Sequence, residues 1–443
     1  MRTLTGGGSL PALAAALLAT AGPDTLGAQV TAIRAGAVLD PAAGRASDAR
    51  TILVANGKIT AVQPAGATPP GATVIDLSGW VVLPGLFDTH THLTAAYDRQ
   101  AMTLRDYTIG VSTAERALEG VVTAWQLLDA GFTTVRDLGN SGNYADAALA
   151  SFFGGGDARR RALYGSATLD QVATFGRPLV GPTIVYAGKI IAPLGGQFQA
   201  SPEHLEVGEQ DYLYADTRDE LKKAIRRNLH FGATWIKVVV DDYSYRYTAD
   251  DLRFIVSEAA QAGARVATHC VTESGARVAI EAGVASIEHG YEMSDSTLAA
   301  AQRRGVVLVG TEPDGISVRE GGRSEQYQRI VDRLKRAHRL GVRMAFGADI
   351  VRAPPGHTRG ELVASVVDTW VEAGVPPADI LRAMTTNAAA LLGMERERGS
   401  IAPGFAADLI ATWGNPLEDI GALKRVGFVM KDGKVVKAPS PGT

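Results

Sequence analysis

The stretch Val81-Val82-Leu83-Pro84-Gly85-Leu86-Phe87-Asp88-Thr89-His90-Thr91-His92 decides how the rest of the chain is read. An apolar run ends in a histidine, one spacer and a second histidine. Side chains on a strand alternate faces, so His90 and His92 leave the end of one strand on the same side. Two imidazoles about 7 Å apart along a strand can converge on one metal ion. The same pattern also fits a strand whose histidines sit in a polar loop, and only their surroundings separate the two readings.

Outward from this stretch, residues 82 to about 390 repeat strand, loop and helix. Apolar strands are expected at 82–87, 133–137, 183–190, 235–240, 265–269, 285–289, 306–310 and 342–347, with helical patterns between them, such as 113–130, 325–340 and 359–371. Eight alternations imply a parallel sheet, and eight is the number that closes a (β/α)8 TIM barrel. Val- and Ile-rich runs without alternation fit strands buried on both faces. An open doubly wound sheet is the rival architecture, but no G-x-G-x-x-G or Walker A stretch follows an early strand. Short strands are expected before the barrel at 31–38, 51–54, 58–62 and 73–76, and after it at 408–412, 426–431 and 434–436. Asn56-Gly57 and Asp432-Gly433 are hairpin turn signals. The expected organisation is α/β, with a barrel over 81–399 and a small β-sandwich built from both chain ends, 29–80 and 400–443. Residues 141–181 break the rhythm with Gly154-Gly155-Gly156 and Arg159-Arg160-Arg161, and read as a loop excursion over the barrel mouth. Residues 376–391 read as an additional helix.

A chain of 443 residues with 46% apolar residues can bury a large core. Its net charge of −3, with both signs mixed, gives no electrostatic case for a nucleic-acid partner. The single cysteine, Cys270, excludes an internal disulfide and a thiolate zinc knuckle. Residues 1–28 differ from the rest: Arg2 precedes a small-residue apolar run too short to span a bilayer. They resemble a signal peptide with cleavage after Ala21 or Ala28, which implies a periplasmic or secreted protein. A leader without that role, or a misassigned start codon, is the alternative. No later segment reads as a membrane span.

Active sites of such barrels form at the C-terminal ends of the strands. Strand one ends in His90 and His92, strand five in His269, strand six in Glu288-His289-Gly290, and strand eight in Asp349. Strand four carries Lys237 among Ile236, Val238, Val239 and Val240. A lysine in an apolar strand suffers heavy desolvation unless neutralised or paired, so its pKa falls and a nucleophilic amine results. Such an amine can form a Schiff base or take up carbon dioxide as a carbamate. Cys270 and Glu288 alternate with the inward histidines and are expected to face the helix layer.

The set H-x-H, Lys, His, His, Asp over eight βα units resembles the amidohydrolase superfamily with a binuclear metal centre. Residues 130–139, 281–290 and 399–409 look like its branch of imidazolonepropionase-like proteins, Xaa-Pro dipeptidases and ochratoxinase-type amidases. The resemblance implies that two divalent metal ions are bound. His90, His92 and Asp349 would hold the more buried one, and His269 and His289 the more exposed one. Carboxylated Lys237 and a hydroxide would bridge them. Asp349 would act as general acid and base. Nitrogen and oxygen ligands suit zinc without excluding manganese, cobalt or iron. Homo-oligomers are common among relatives, but no sequence pattern here fixes a number.

The match departs from the branch near the substrate. Gly195-Gly196-Gln197 stands where many dipeptidase-like members carry Gly-Gly-His, so Gln197 is a candidate amide donor to the substrate carbonyl. Val271 stands where those members often have a tyrosine. Tyr243 and Arg246, in Asp241-Asp242-Tyr243-Ser244-Tyr245-Arg246-Tyr247, are candidate substrate contacts, with a solvated loop as the alternative. His357, in the loop after strand eight, is a further candidate, with helix capping as its alternative. The expected function is metal-dependent hydrolysis of a C–N amide bond in a small molecule, a dipeptide or an N-acyl amino acid. Cyclic amides, lactones or phosphotriesters are alternative substrates, and a metal-free scaffold protein is the alternative class.

Overall fold

A computed structural model describes residues 29–66, 68–97, 102–154, 179–198, 201–242, 246–352 and 354–439. The expected signal peptide, Arg159-Arg160-Arg161 and Tyr243 lie outside the described residues. At the N-terminal end come β1 (Thr31–Asp40), β2 (Arg45–Ala46), β3 (Arg50–Ala55), β4 (Lys58–Pro64) and β5 (Thr73–Pro84). Asn56 and Gly57 take positive φ in the hairpin between β3 and β4, as the Asn-Gly signal requires.

The barrel units begin with β6 (Leu86–Thr91). The sequence places one strand across 82–87, but the chain divides it: residues up to Pro84 belong to β5, and the strand carrying the histidines starts at Leu86. Pro84 has no N–H to continue a ladder. A side chain on Gly85 would strike Thr133, so the two sheets can meet there only through a glycine. Next follow β7 (Phe132–Asp137), β8 (Thr183–Tyr186), β9 (Ile190–Ala192), β10 (Tyr212–Tyr214), β11 (Trp235–Val239), β12 (Arg265–Cys270), β13 (Ser286–His289) and β14 (Val307–Val309).

These strands form two parallel ladders, β6-β7-β8 and β10-β9-β11-β12-β13-β14. Hydrogen bonds span the gaps. Thr234 N donates to Tyr186 O at 3.3 Å, Leu308 N to Arg343 O at 2.9 Å, and Thr89 N to Phe346 O at 2.8 Å. The eighth strand expected at 342–347 is reduced to a single bridge, Leu308 to Met344. Gly347 explains its irregular path, because a Cβ there would press on Val309 and on His90 Cβ.

Helices cover the ladders, among them Thr113–Asp129, Arg218–His230 and Glu325–Arg339. The expected helices at 359–371 and 376–391 are each broken in two, as Arg359–Ser365 with Val367–Glu372 and Pro377–Met384 with Thr386–Leu392. The main apolar cluster lies between helices and strands and includes Cys270, as alternation requires. A smaller cluster of Phe87, Trp235, Ala267, Val307 and Ala345 packs with Ala388 and Leu391 of the last helix.

The C-terminal strands β15 (Leu409–Thr412), β16 (Val426–Lys431) and β17 (Lys434–Lys437) return to the first sheet, where β15 pairs antiparallel with β5. The result is one eight-stranded path, β17-β16-β15-β5-β1-β3-β4, with β2 on β1. Its two ends meet again: Lys58 bridges Ala406, and Gly433 lies against Gly57. The sheet thus curls around its own core of Ile33, Val54, Ile59, Leu409, Phe428 and Met430. No helix among the described residues is long and apolar enough to cross a membrane.

Candidate metal centre

The strand ends bring His90, His92, Lys237, His269, His289 and Asp349 together. His92 Nε2 lies 3.1 Å from Asp349 Oδ1, and His90 Nε2 lies 3.7 Å from the same oxygen. His289 Nδ1 is 3.8 Å from Asp349 Oδ2. Lys237 Nζ is 3.5 Å from His90 Nε2. The His90 and His92 rings are 5.3 Å apart, His90 and His289 also 5.3 Å, and His269 and His289 4.3 Å. One donor atom each from His90, His289 and Asp349 falls within 4.8 Å of the others. The donors are nitrogen and oxygen throughout, a set that fits a divalent transition metal.

Each imidazole is oriented through another nitrogen contact, as metal-ligating histidines usually are. His90 Nδ1 donates to Glu288 Oε2 at 2.7 Å, and His92 Nδ1 donates to Gly139 O at 2.7 Å. His289 Nδ1 lies 2.8 Å from Thr311 Oγ1, whose hydroxyl is 2.8 Å from Tyr291 OH. His269 Nε2 donates to Asp242 Oδ2 at 2.5 Å. Asp241, beside it, accepts from Val271 N, Thr272 N and Thr272 Oγ1, so its oxygens are committed to the start of the next helix.

Burial and neighbouring charge set the protonation of the floor. Burial lowers His90 to about 4, with Lys237 adding to the effect. Burial also lowers Lys237, to about 8, against the pull of Glu288 and Asp349. Burial would raise the Asp349 carboxyl, but His90, His92 and His289 outweigh it and hold it well below the usual carboxylate range. A neutral His90 beside an ionised Asp349 is the state a cation requires of its ligands.

Glu288 overturns the expectation that it faces the helix layer. It is fully buried, bonded to His90, and Arg136 Nη2 donates to its Oε1 at 2.9 Å. The register explains this: Glu288 pairs with His269 across β12 and β13 and so shares its inward direction. His289, next in sequence, would point outward, but its φ of 72° turns it back into the site. Asp349 (φ 52°), Thr311 (φ 51°) and Asp242 (φ 95°) carry the same left-handed strain, which gathers at functional sites.

Arg136 is the residue that sequence reading missed most completely. It donates from Nε to Thr89 O at 2.5 Å and from Nη1 to Ser286 Oγ at 3.1 Å, and stands 4.4 Å from the centre of the Trp235 ring. It thereby ties strands one, two, four and six together beneath the histidines. Its only signal was the charged pair Arg136-Asp137 closing a strand otherwise made of Phe, Val and Thr, a weaker oddity than the one that marks Lys237. Asp88 also belongs to the floor, where its Oδ1 accepts from His90 N at 3.0 Å and Ala348 N at 3.0 Å.

At the rim, Gln197 Nε2 stands 3.3 Å from the His269 ring nitrogens and 3.2 Å from Asp242 Oδ2. The structure does not bring Arg246 or His357 to this cluster. Arg246 donates to Ser274 Oγ on the exposed surface. His357 Nε2 faces Glu320 at 3.5 Å.

The Amidohydrolase family profile matches residues 81–436. Ochratoxinase of Aspergillus niger is 30% identical over 390 residues, covering 82% of this chain and 77% of that protein. Imidazolonepropionase of Deinococcus deserti is 26% identical over 386 residues, covering 84% and 88%. A solved Xaa-Pro dipeptidase with methionine bound in its active site superposes with a TM-score of 0.77 at 28% identity, over 93% of this chain and 100% of that one. Likeness of this extent gives the architecture as a TIM barrel with an additional domain.

Proposed function

The chain belongs to the amidohydrolase family and is a hydrolase acting on C–N bonds, and on that premise we propose that it cleaves the amide of a dipeptide or an N-acyl amino acid at a binuclear metal centre. The observation that carries this reading is the convergence of three imidazoles, a carboxylate and a buried amine on the barrel floor. The named activities of the relatives, a dipeptidase and an ochratoxinase, support the substrate class.

In this reading His90, His92 and Asp349 would hold one divalent cation, His269 and His289 would hold a second, and Lys237 would supply a ligand to the centre. Bound there, zinc or a similar ion supplies Lewis acidity and lowers the pKa of a water. Every other part belongs to the chain. The Lys237 amine adds to carbon dioxide and releases a proton, which leaves a carbamate with two oxygens in place of a cation. Glu288 and Gly139 hold the His90 and His92 rings so that each Nε2 faces inward. Asp349, a quarter exposed, takes a proton from the attacking water and returns it to the leaving nitrogen. The Gln197 amide donates to the substrate carbonyl oxygen as negative charge grows on it.

A substrate panel tests this directly: dipeptides and N-acyl amino acids are turned over, while lactones, phosphotriesters and cyclic amides are not. Preference for any of the latter group contradicts the substrate class. We also propose export through residues 1–28, and an intact Met1 on the folded protein from cells would contradict it.

A further inference from the structure

A second buried lysine lies outside the metal centre. Lys189, between β8 and β9, is 3% exposed. Asn228 locks its backbone: Lys189 N donates to Asn228 Oδ1 at 3.2 Å, and Asn228 Nδ2 donates to Lys189 O at 2.8 Å. Its ammonium donates to the Glu209 carbonyl and lies 5.8 Å from the centre of the Tyr144 ring. An ammonium has three donors, and a buried one normally meets a carboxylate. Among the described residues no ion pair joins Lys189 or its neighbour Arg227 to a carboxylate, and only the more distant charges of Asp211 and Glu209 act in favour of the ammonium. Burial, then the charge of Arg227, push the lysine down to about 8.

Both cations line a cavity of about 490 Å³ beside β10 and the helix Arg218–His230. That volume suits a small molecule. The carboxylates of Glu206 and Glu209 line the same cavity, and both side chains are exposed. Glu220 also lines it, but is spent on capping Thr217. The Tyr212 and Tyr214 rings stack with centres 6.1 Å apart, and the Tyr214 hydroxyl is buried without a partner. The cavity therefore combines three cations, Lys189, Arg227 and the exposed Lys223, with the two exposed glutamates and flat aromatic walls. A simple anion would answer the cations and meet the glutamates unfavourably, whereas a zwitterion answers both.

We propose that this cavity is a second ligand site, taking a free amino acid with its carboxylate against Lys189 and Arg227 and its ammonium toward Glu206 and Glu209. The site is independent of the hydrolytic reading, since no strand-end histidine lines it. Tyr212 is its wall toward the metal centre, with its hydroxyl 3.5 Å from Gln197 Oε1.

Isothermal titration of the full-length, metal-loaded protein tests the proposal, with L-phenylalanine, L-leucine, glycine, acetate and inorganic phosphate as separate probes. Wild type is expected to bind at least one of the amino acids at a site that Lys189→Met and Arg227→Gln each weaken about tenfold or more. Turnover without added amino acid should be unchanged in both variants. Amino acid bound at the metal centre is retained by both, so only the cavity equivalent is lost. Arg227 is exposed, so Arg227→Gln keeps the test valid if Lys189→Met fails to fold. Wild-type affinity in the folded variants, no amino acid bound at millimolar concentration, or acetate and phosphate binding as tightly as the amino acids would each overturn the proposal.

Discussion

On the floor of the barrel mouth His90, Glu288, Arg136 and Lys237 are almost wholly buried, and none of their polar atoms is left without a partner. On the rim, His269 leans on Asp242, whose side chain is a third exposed, and Gln197 reaches both through longer contacts. The floor is held by strand register and by an arginine spanning four strands, so its geometry belongs to the fold. The rim is built from loops, where a handful of polar contacts fixes each side chain and where substrate choice can vary without disturbing the barrel. The difference teaches that, under the proposed function, the floor would set the type of reaction and the rim the choice of substrate.

The largest effect should come from the centre of the floor. Lys237→Ala is expected to lose metal and nearly all turnover, with partial recovery in short carboxylic acids that supply the missing oxygens. Wild-type metal content in that variant would break the account of the floor. Asp349→Asn should lower kcat by roughly 10²–10⁴-fold through loss of proton transfer, measured on metal-saturated enzyme. Glu288→Gln tests whether orientation matters apart from ligation: chelator competition should show metal affinity reduced about 10–100-fold. Unchanged affinity would mean that the His90 ring needs no such support. The rim effects should be smaller. Gln197→Ala is expected to lower kcat about tenfold, less than a fully enclosed oxyanion donor would, with KM moving less. Arg246→Ala should leave kcat/KM within about twofold, because its guanidinium is spent on Ser274 at the surface. A large loss there would bring the loop after β11 into the site and redraw the division between floor and rim.

Much of the floor was legible because period-two alternation puts His90 and His92 on one side, and because a lysine amid Val and Ile stands out. Glu288 was misread for two reasons that alternation cannot carry: the register against β12, and the left-handed turn at His289. Pro84-Gly85 was visible as a break, but the pattern did not say that the residues before it belong to another sheet. The eighth strand looked regular in sequence, yet Gly347 lies so close to His90 that the ladder shrinks to one bridge. At the rim, Arg246 and His357 were chosen for chemistry and nearness in sequence. Loop conformation, which no periodicity encodes, turned them toward Ser274 and Glu320 instead.

The most direct measurement is the metal content of the purified full-length protein by elemental analysis, beside Lys237→Ala prepared identically. The account predicts close to two equivalents of divalent transition metal per wild-type chain and a clear loss in the variant. Wild-type protein that folds, turns over substrate and carries no metal would contradict it.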